Sequence, residues 1–198
     1  MKTIKFLSAL LMAGVMLVNT AEANGKKGKA TALKVDASKS VVKWNAKKIT
    51  GEHYGTVTLK NGSLTVDGGK VTGGSFEMDM NSIKCEDLTD AGYNGKLIGH
   101  LKSDDFFSVA KHPVASFKIT KVEGNNITGD LTIKGITNSV TFPATIKADK
   151  NGATATAKIV LDRTKWDIRY GSKKFFESIG DKAIYDDFSI DLTLAASK

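Results

Sequence analysis

The sequence predicts an all-β fold: an antiparallel β-barrel of about eight strands with one short helix capping a mouth. Three observations predict it. Apolar and polar residues alternate with a period of two along most of the 198-residue chain, the pattern of strands with one buried and one wet face. Clusters of Gly, Asn and Asp punctuate those runs where turns belong. A sheet with one apolar face must cover it, and closing on itself does so without leaving edges.

The chain opens on a secretory signal, expected over residues 1–23. Lys2 and Lys5 give a positive start, Phe6 to Val18 is a short apolar run, and Ala21-Glu22-Ala23 is a cleavage site. The run is too short to cross a bilayer as a helix. Residues 24–31 (NGKKGKAT) are small, polar and basic and read as a disordered tail. Residues 32–198 then form the barrel domain, long enough for one sizeable core.

Val35 to Lys48 is the first strand region, with Val42, Trp44 and Ala46 on one face. Residues 54–60 follow, with Val57 and Leu59 sharing a face. Asn61-Gly62 and Asp67-Gly68-Gly69 read as hairpin turns flanking a short run, Ser63 to Val66. Val71 to Met80 places Phe76, Met78 and Met80 together, opposite Ser75, Glu77 and Asp79. Leu97, Ile98 and Leu101 have helical spacing, so a short helix is expected near Tyr93 to Lys102, over a barrel mouth.

Gly99 to Thr120 (GHLKSDDFFSVAKHPVASFKIT) reads as a helix end, a one-turn helix and a strand. Ser103 can cap the one-turn helix, with Asp104 and Asp105 in its first positions. Pro113 forces His112 extended and ends it. Ala115, Phe117 and Ile119 then alternate with polar residues. Four more alternating runs follow, built on Ile127–Ile133, Val140–Ile146, Ala153–Leu161 and Phe188–Leu194. Their turns are expected at Gly124-Asn125-Asn126, Gly135 to Asn138 and Lys150-Asn151-Gly152. Asp162 to Gly180 interrupts the strands with a dense mix of cations and aromatic rings and could form a flap that meets a polar headgroup.

Several of these segments carry a resemblance. Lys102-Ser103, Asp105-Phe106-Phe107, His112-Pro113 and Phe117, with Gly129-Asp130-Leu131-Thr132-Ile133-Lys134-Gly135 and Leu161-Asp162-Arg163, resemble the signature of the YceI-like family. The resemblance runs from about Val35 to Leu194. It implies a lipocalin-like barrel, exported to the periplasm, that binds an isoprenoid-type amphiphile. The small inward residues Ala153, Ala155 and Ala157 either leave volume for a ligand or face bulky partners. The resemblance implies the cavity.

Net charge is +8, with the leader supplying Lys2, Lys5 and Glu22. The remaining cations are scattered, which serves solubility and allows transient contact with an anionic membrane surface. No basic helix or stacking motif points to nucleic acid. The single cysteine, Cys85, forms no internal disulfide. His53, His100 and His112 show no metal-ligand spacing to one another or to Cys85, so no metal is expected. No nucleophile elbow appears, and Glu77 with Asp79 belongs to a solvent face.

The expectation is therefore non-catalytic binding, storage or transport of a long-chain isoprenoid or quinone-type lipid, with no other cofactor, by a periplasmic or secreted monomer or homodimer. The tail would lie against Trp44, Phe76, Met78, Phe106, Phe107, Phe117, Leu131, Phe142, Ile146, Ala155, Ala157 and Phe188. The head would sit by His100, Lys102, Arg163 or Arg169. Alternatives are an enzyme acting on a lipid or acid inside the barrel, with a histidine or Glu77 and Asp79 as acid and base, and a stress-related scaffold without ligand. A dozen buried CH₂ groups contribute about 10 kcal/mol, so lipid binding needs few polar residues.

Overall fold

In the computed structural model, which describes residues 30–198, nine strands and one helix account for most of the chain. They are β1 (Thr31–Val35), β2 (Val41–Lys48), β3 (Gly51–Asp67), β4 (Lys70–Cys85), α1 (Ala91–Lys102), β5 (Val114–Glu123), β6 (Asn126–Ile133), β7 (Ile136–Ala148), β8 (Gly152–Asp162) and β9 (Ile184–Ser197). The expected signal segment and all but the last two residues of the expected tail lie outside the described residues. Thr31, at the end of that tail, already belongs to β1.

Strands β2 to β9 run as an antiparallel meander in which each pairs with the next, and β9 pairs back on β2. The result is a closed barrel of eight strands, a size just wide enough inside for side chains or one small ligand. The first strand region is split. β1 and β2 lie end to end between β3 and β9: Thr31–Lys34 pair with Ser63–Val66, and Val42–Lys48 with Gly51–Val57. Residues 36–40 loop out between them, where Asp36 accepts from the Ser38 N–H and the Ser40 hydroxyl donates to the Asp36 carbonyl.

The two ends differ. At the base, Leu33 (0 % exposed) and Val35 of β1 join Leu64, Val66, Val71, Leu194 and Ala196 in a packed plug. At the other end lie α1, the 103–113 loop, the β6–β7 turn and the 163–183 segment. α1 begins at the Asp90 cap, whose carboxylate accepts from the Tyr93 N–H.

Four expectations are corrected. Asn61-Gly62 makes no turn, and β3 runs through it. Register shifts between Leu59 and Asn61, and a Cβ on Gly62 would sit 2.8 Å from Phe76 Cδ1. The glycine marks a close approach at a bulge. The β6–β7 turn is the two residues Lys134-Gly135 (φ 50° and 75°), not Gly135 to Asn138. Two positive φ values match the right-handed strand twist. Ser103 does not start a one-turn helix. It ends α1, its hydroxyl donating to the His100 carbonyl, and turns stitched by Ser108 and Asp104 follow. Finally, the first half of the 162–180 segment is no loose flap, because Trp166 (0 % exposed) and Ile168 (1 %) are packed into the barrel end.

Candidate functional site

Inside the barrel lies a cavity of about 220 Å³. It reaches from Leu64, Val71 and Leu194, which form the inner surface of the basal plug, to Leu101, Phe106, Ile168 and Tyr185 at the helix end. This exceeds the roughly 150 Å³ apolar cavity that stays dry in a protein and accepts benzene. Arg163, Tyr185 and Trp44 are the wall residues with polar side-chain atoms, and the Trp44 Nε1–H is committed to the Lys84 carbonyl at 3.1 Å; the rest of the lining is apolar.

The wall follows from strand alternation. Trp44 and Ala46 of β2, Val57 and Leu59 of β3, and Met78 of β4 each share a face with their cross-strand partners, and Met80 lines the same wall. Phe76, Phe117 and Phe142 form a row across β4, β5 and β7, with centroids 6.4 and 5.5 Å apart. Gly129 on β6 makes room for that row. A Cβ there would meet the Phe117 ring at 2.4 Å and the Lys118 carbonyl at 2.5 Å, so the ring needs the glycine beneath it. On β8, Ala155 and Ala157 face the interior, whereas Ala153 belongs to the basal plug.

All twelve residues expected along an apolar tail stand on this wall: Trp44, Phe76, Met78, Phe106, Phe107, Phe117, Leu131, Phe142, Ile146, Ala155, Ala157 and Phe188. Of the four expected at the mouth, Arg163 alone reaches it. The residue is 5 % exposed and its guanidinium is largely committed: it donates to the carbonyls of Ile168 (2.8 Å), Ile184 (3.2 Å) and Tyr185 (3.2 Å) and lies 3.4 Å from Asp186 Oδ1. Burial lowers its pKa, and Asp186 and Asp162 oppose that shift.

The other three residues are engaged elsewhere. His100 lies 3.2 Å from Asp105 Oδ2 and edge-on to Phe106 and Tyr170, at 4.9 and 4.5 Å between centroids. Lys102 donates to the Asn81 carbonyl. Arg169 pairs with Asp167 and lies over the Phe175 ring. Glu77 bonds the Asn61 side chain and Asp79 the Asn81 N–H; neither lines the cavity. Sequence reading missed Ile168, Ile184 and Tyr185, which enter the wall from irregular segments or a strand end where period-two alternation gives no direction.

The mouth is tied together by backbone acceptors. Lys134 Nζ donates to the carbonyls of Asp104 and Asp167, joining three loops. Trp166 Nε1 donates to the Leu131 carbonyl. Asp162 accepts from the Thr164 N–H and hydroxyl and from Lys174, anchoring the turn that aims Arg163 inward. The His112 ring packs on Gly135, and the Pro113 carbonyl accepts from the Met80 N–H. The conspicuous motifs of this sequence thus converge on the mouth. The spacing of the histidines and Cys85 predicts no metal site, yet the β3–β4 pairing draws His53, Cys85 and Asp87 within 4.8 Å of one another.

Comparison with known proteins agrees with this geometry. A family model for the YceI-like domain matches residues 33–196. A UPF0312 protein of Shewanella denitrificans is 37% identical over 86 residues, covering 41% of this chain and 42% of the relative. One from Pseudomonas aeruginosa is 34% identical over 92 residues, covering 44% and 46%. The matched stretches thus span less than half the length of these curated relatives. Two solved structures share the fold with a TM-score of 0.59. Burkholderia cenocepacia BcnA is 24% identical, covering 82% of this chain and 99% of that one. A polyisoprenoid-binding domain from Saccharophagus degradans, implicated in plant cell wall breakdown, is 13% identical, covering 85% and 99%.

Proposed function

The chain belongs to the YceI-like domain family, and from that premise we propose that it holds the apolar chain of an isoprenoid, quinone-like or other long amphiphilic lipid inside its barrel, as a non-catalytic carrier or store in the periplasm or outside the cell. The observation that carries this reading is the cavity itself, about 220 Å³ of space walled almost entirely by hydrocarbon and aromatic rings. An unfilled apolar interior costs a protein dispersion contacts, and an apolar guest restores them. The similarity in fold to a polyisoprenoid-binding domain supports the same reading.

The tail lies along the Phe76–Phe117–Phe142 row toward Leu64 and Leu194. A chain longer than the present void needs flexible wall residues to yield, and Met78 and Met80 are suited to that. The head lies at the helix end beside Arg163 and Tyr185. The exposed rings of Tyr170, Phe175, Phe176 and Tyr185 stand at that end, where amphipathic side chains can touch a membrane surface transiently during exchange. Non-catalytic action is favoured because Glu77, Asp79 and the three histidines are absent from the cavity lining.

Native mass spectrometry of the chain purified from its own host tests the proposal. The expected result is a lipid adduct released by organic solvent. A homogeneous ligand-free mass, with no uptake of added polyprenol or quinone, would overturn it.

A further inference from the structure

Three ligand-type side chains that the lipid cavity does not use converge at the helix end of the barrel. His53 on β3 pairs with Ala46, a cavity-wall residue, so the imidazole stands on the inner face at the rim. Cys85 ends β4 opposite Gly55, and Asp87 follows it. His53 Nδ1 is 2.7 Å from Asp87 Oδ2, and Cys85 Sγ is 3.2 Å from Asp87 Oδ1. The surroundings hold the trio in place. The Tyr54 N–H donates to Asp87 Oδ1 at 2.9 Å, and the Asn94 side-chain amide donates to the carbonyls of Cys85 and Leu88.

We propose that His53, Cys85 and Asp87 form a binding site for a zinc-class divalent cation, with three protein ligands and a fourth position open to water. The donor set of one thiolate, one imidazole and one carboxylate is what a borderline-soft ion such as Zn²⁺ accepts. Metal–ligand bonds of about 2.0–2.3 Å place neighbouring donors roughly 3–4 Å apart around a tetrahedron. The trio, within 4.8 Å throughout, needs only small side-chain movements to reach that geometry.

Burial raises the Cys85 pKa, so at neutral pH the thiol keeps its proton and donates it toward Asp87. Burial acts to raise the Asp87 carboxyl as well, but the Tyr54 N–H, His53 and Cys85 outweigh it and hold its pKa at about 2. The carboxylate is therefore ready to ligate, and the thiol must release about one proton as the ion enters. The bound ion would join the start of β3 to the loop leading into α1. The site stands independently of what fills the barrel.

Cobalt(II) titration of the untagged, reduced full chain after chelator dialysis tests this. One equivalent should bind with a thiolate-to-cobalt charge-transfer band, displaced by Zn²⁺. Calorimetry in buffers of different ionisation enthalpy should show release of about one proton. Cys85→Ser should abolish the band, and His53→Gln should weaken binding at least ~10-fold. Asp87→Asn, at a more accessible position, should also weaken it and serves if Cys85→Ser does not fold. Absence of a saturable band in the wild-type chain, or Asp87→Asn and His53→Gln both binding with unchanged affinity, would overturn the site.

Discussion

Arg163 shows what a single residue does here and how far its role could be read. The sequence marks it as a cation beside aromatic rings, which matches a headgroup contact. The structure turns its fork onto three carbonyls and Asp186, so it anchors the 163–183 segment to β9. Asp186 Oδ1 is buried and accepts no hydrogen bond from the described residues; Arg163 lies 3.4 Å from it, and Lys174 lies 3.6 Å from Oδ2. Arg163→Met should therefore destabilise the fold by roughly 3–5 kcal/mol, because three carbonyls lose their donor and the buried carboxylate is left with Lys174 alone. Asp186→Asn in the same chain should recover part of that loss. Thermal unfolding of the single and double variants checks both expectations, and an unchanged Tm in the single variant would refute the anchoring role.

At the scale of an element, β8 is the most legible. Its alternation placed Ala155, Ala157, Ile159 and Leu161 on one face, and all four line the cavity. Ala157 lies between Ala144 and Leu192 on the neighbouring strands. A leucine at 157 should project into the void. Ala157→Leu should leave Tm unchanged or raised, as cavity filling does. Uptake of a fluorescent polyprenol should fall at least ~10-fold, about 1.4 kcal/mol. Undiminished uptake would mean that the tail lies elsewhere. β3 was less legible. Asn61-Gly62 carries strong turn chemistry, and only the position of Phe76 on the next strand shows why a glycine stands there. The mouth segments were least legible, because irregular backbone gives no rule for which side chain points inward.

For the whole molecule, closure is the decisive property. Pairing of β9 with β2 leaves the eight-strand circuit without an edge, and β1 completes the slot at the base. Removing residues 1–36 would uncover the edges at Ser63–Val66 and Ala196–Ser197 and withdraw Leu33 and Val35 from the plug. That truncation should lower Tm, broaden the unfolding transition and increase binding of an apolar dye such as ANS, all measurable on the purified chain. A truncated chain with wild-type Tm and no added dye binding would show that β1 is dispensable for closure.

By itself the sequence determined the strand class, the inward face of nearly every strand and the need to close. Those properties rest on a local period of two and on the free energy of covering apolar surface. Only the tertiary structure decided the size of the void, because a cavity is the small difference between barrel volume and the packed side chains of eight strands. It also decided that Arg163 turns inward while Lys102 and Arg169 turn away, and that His53 meets Asp87 from 34 residues distant. Those meetings depend on strand register and on the paths of irregular loops, and neither leaves a periodic trace in the chain.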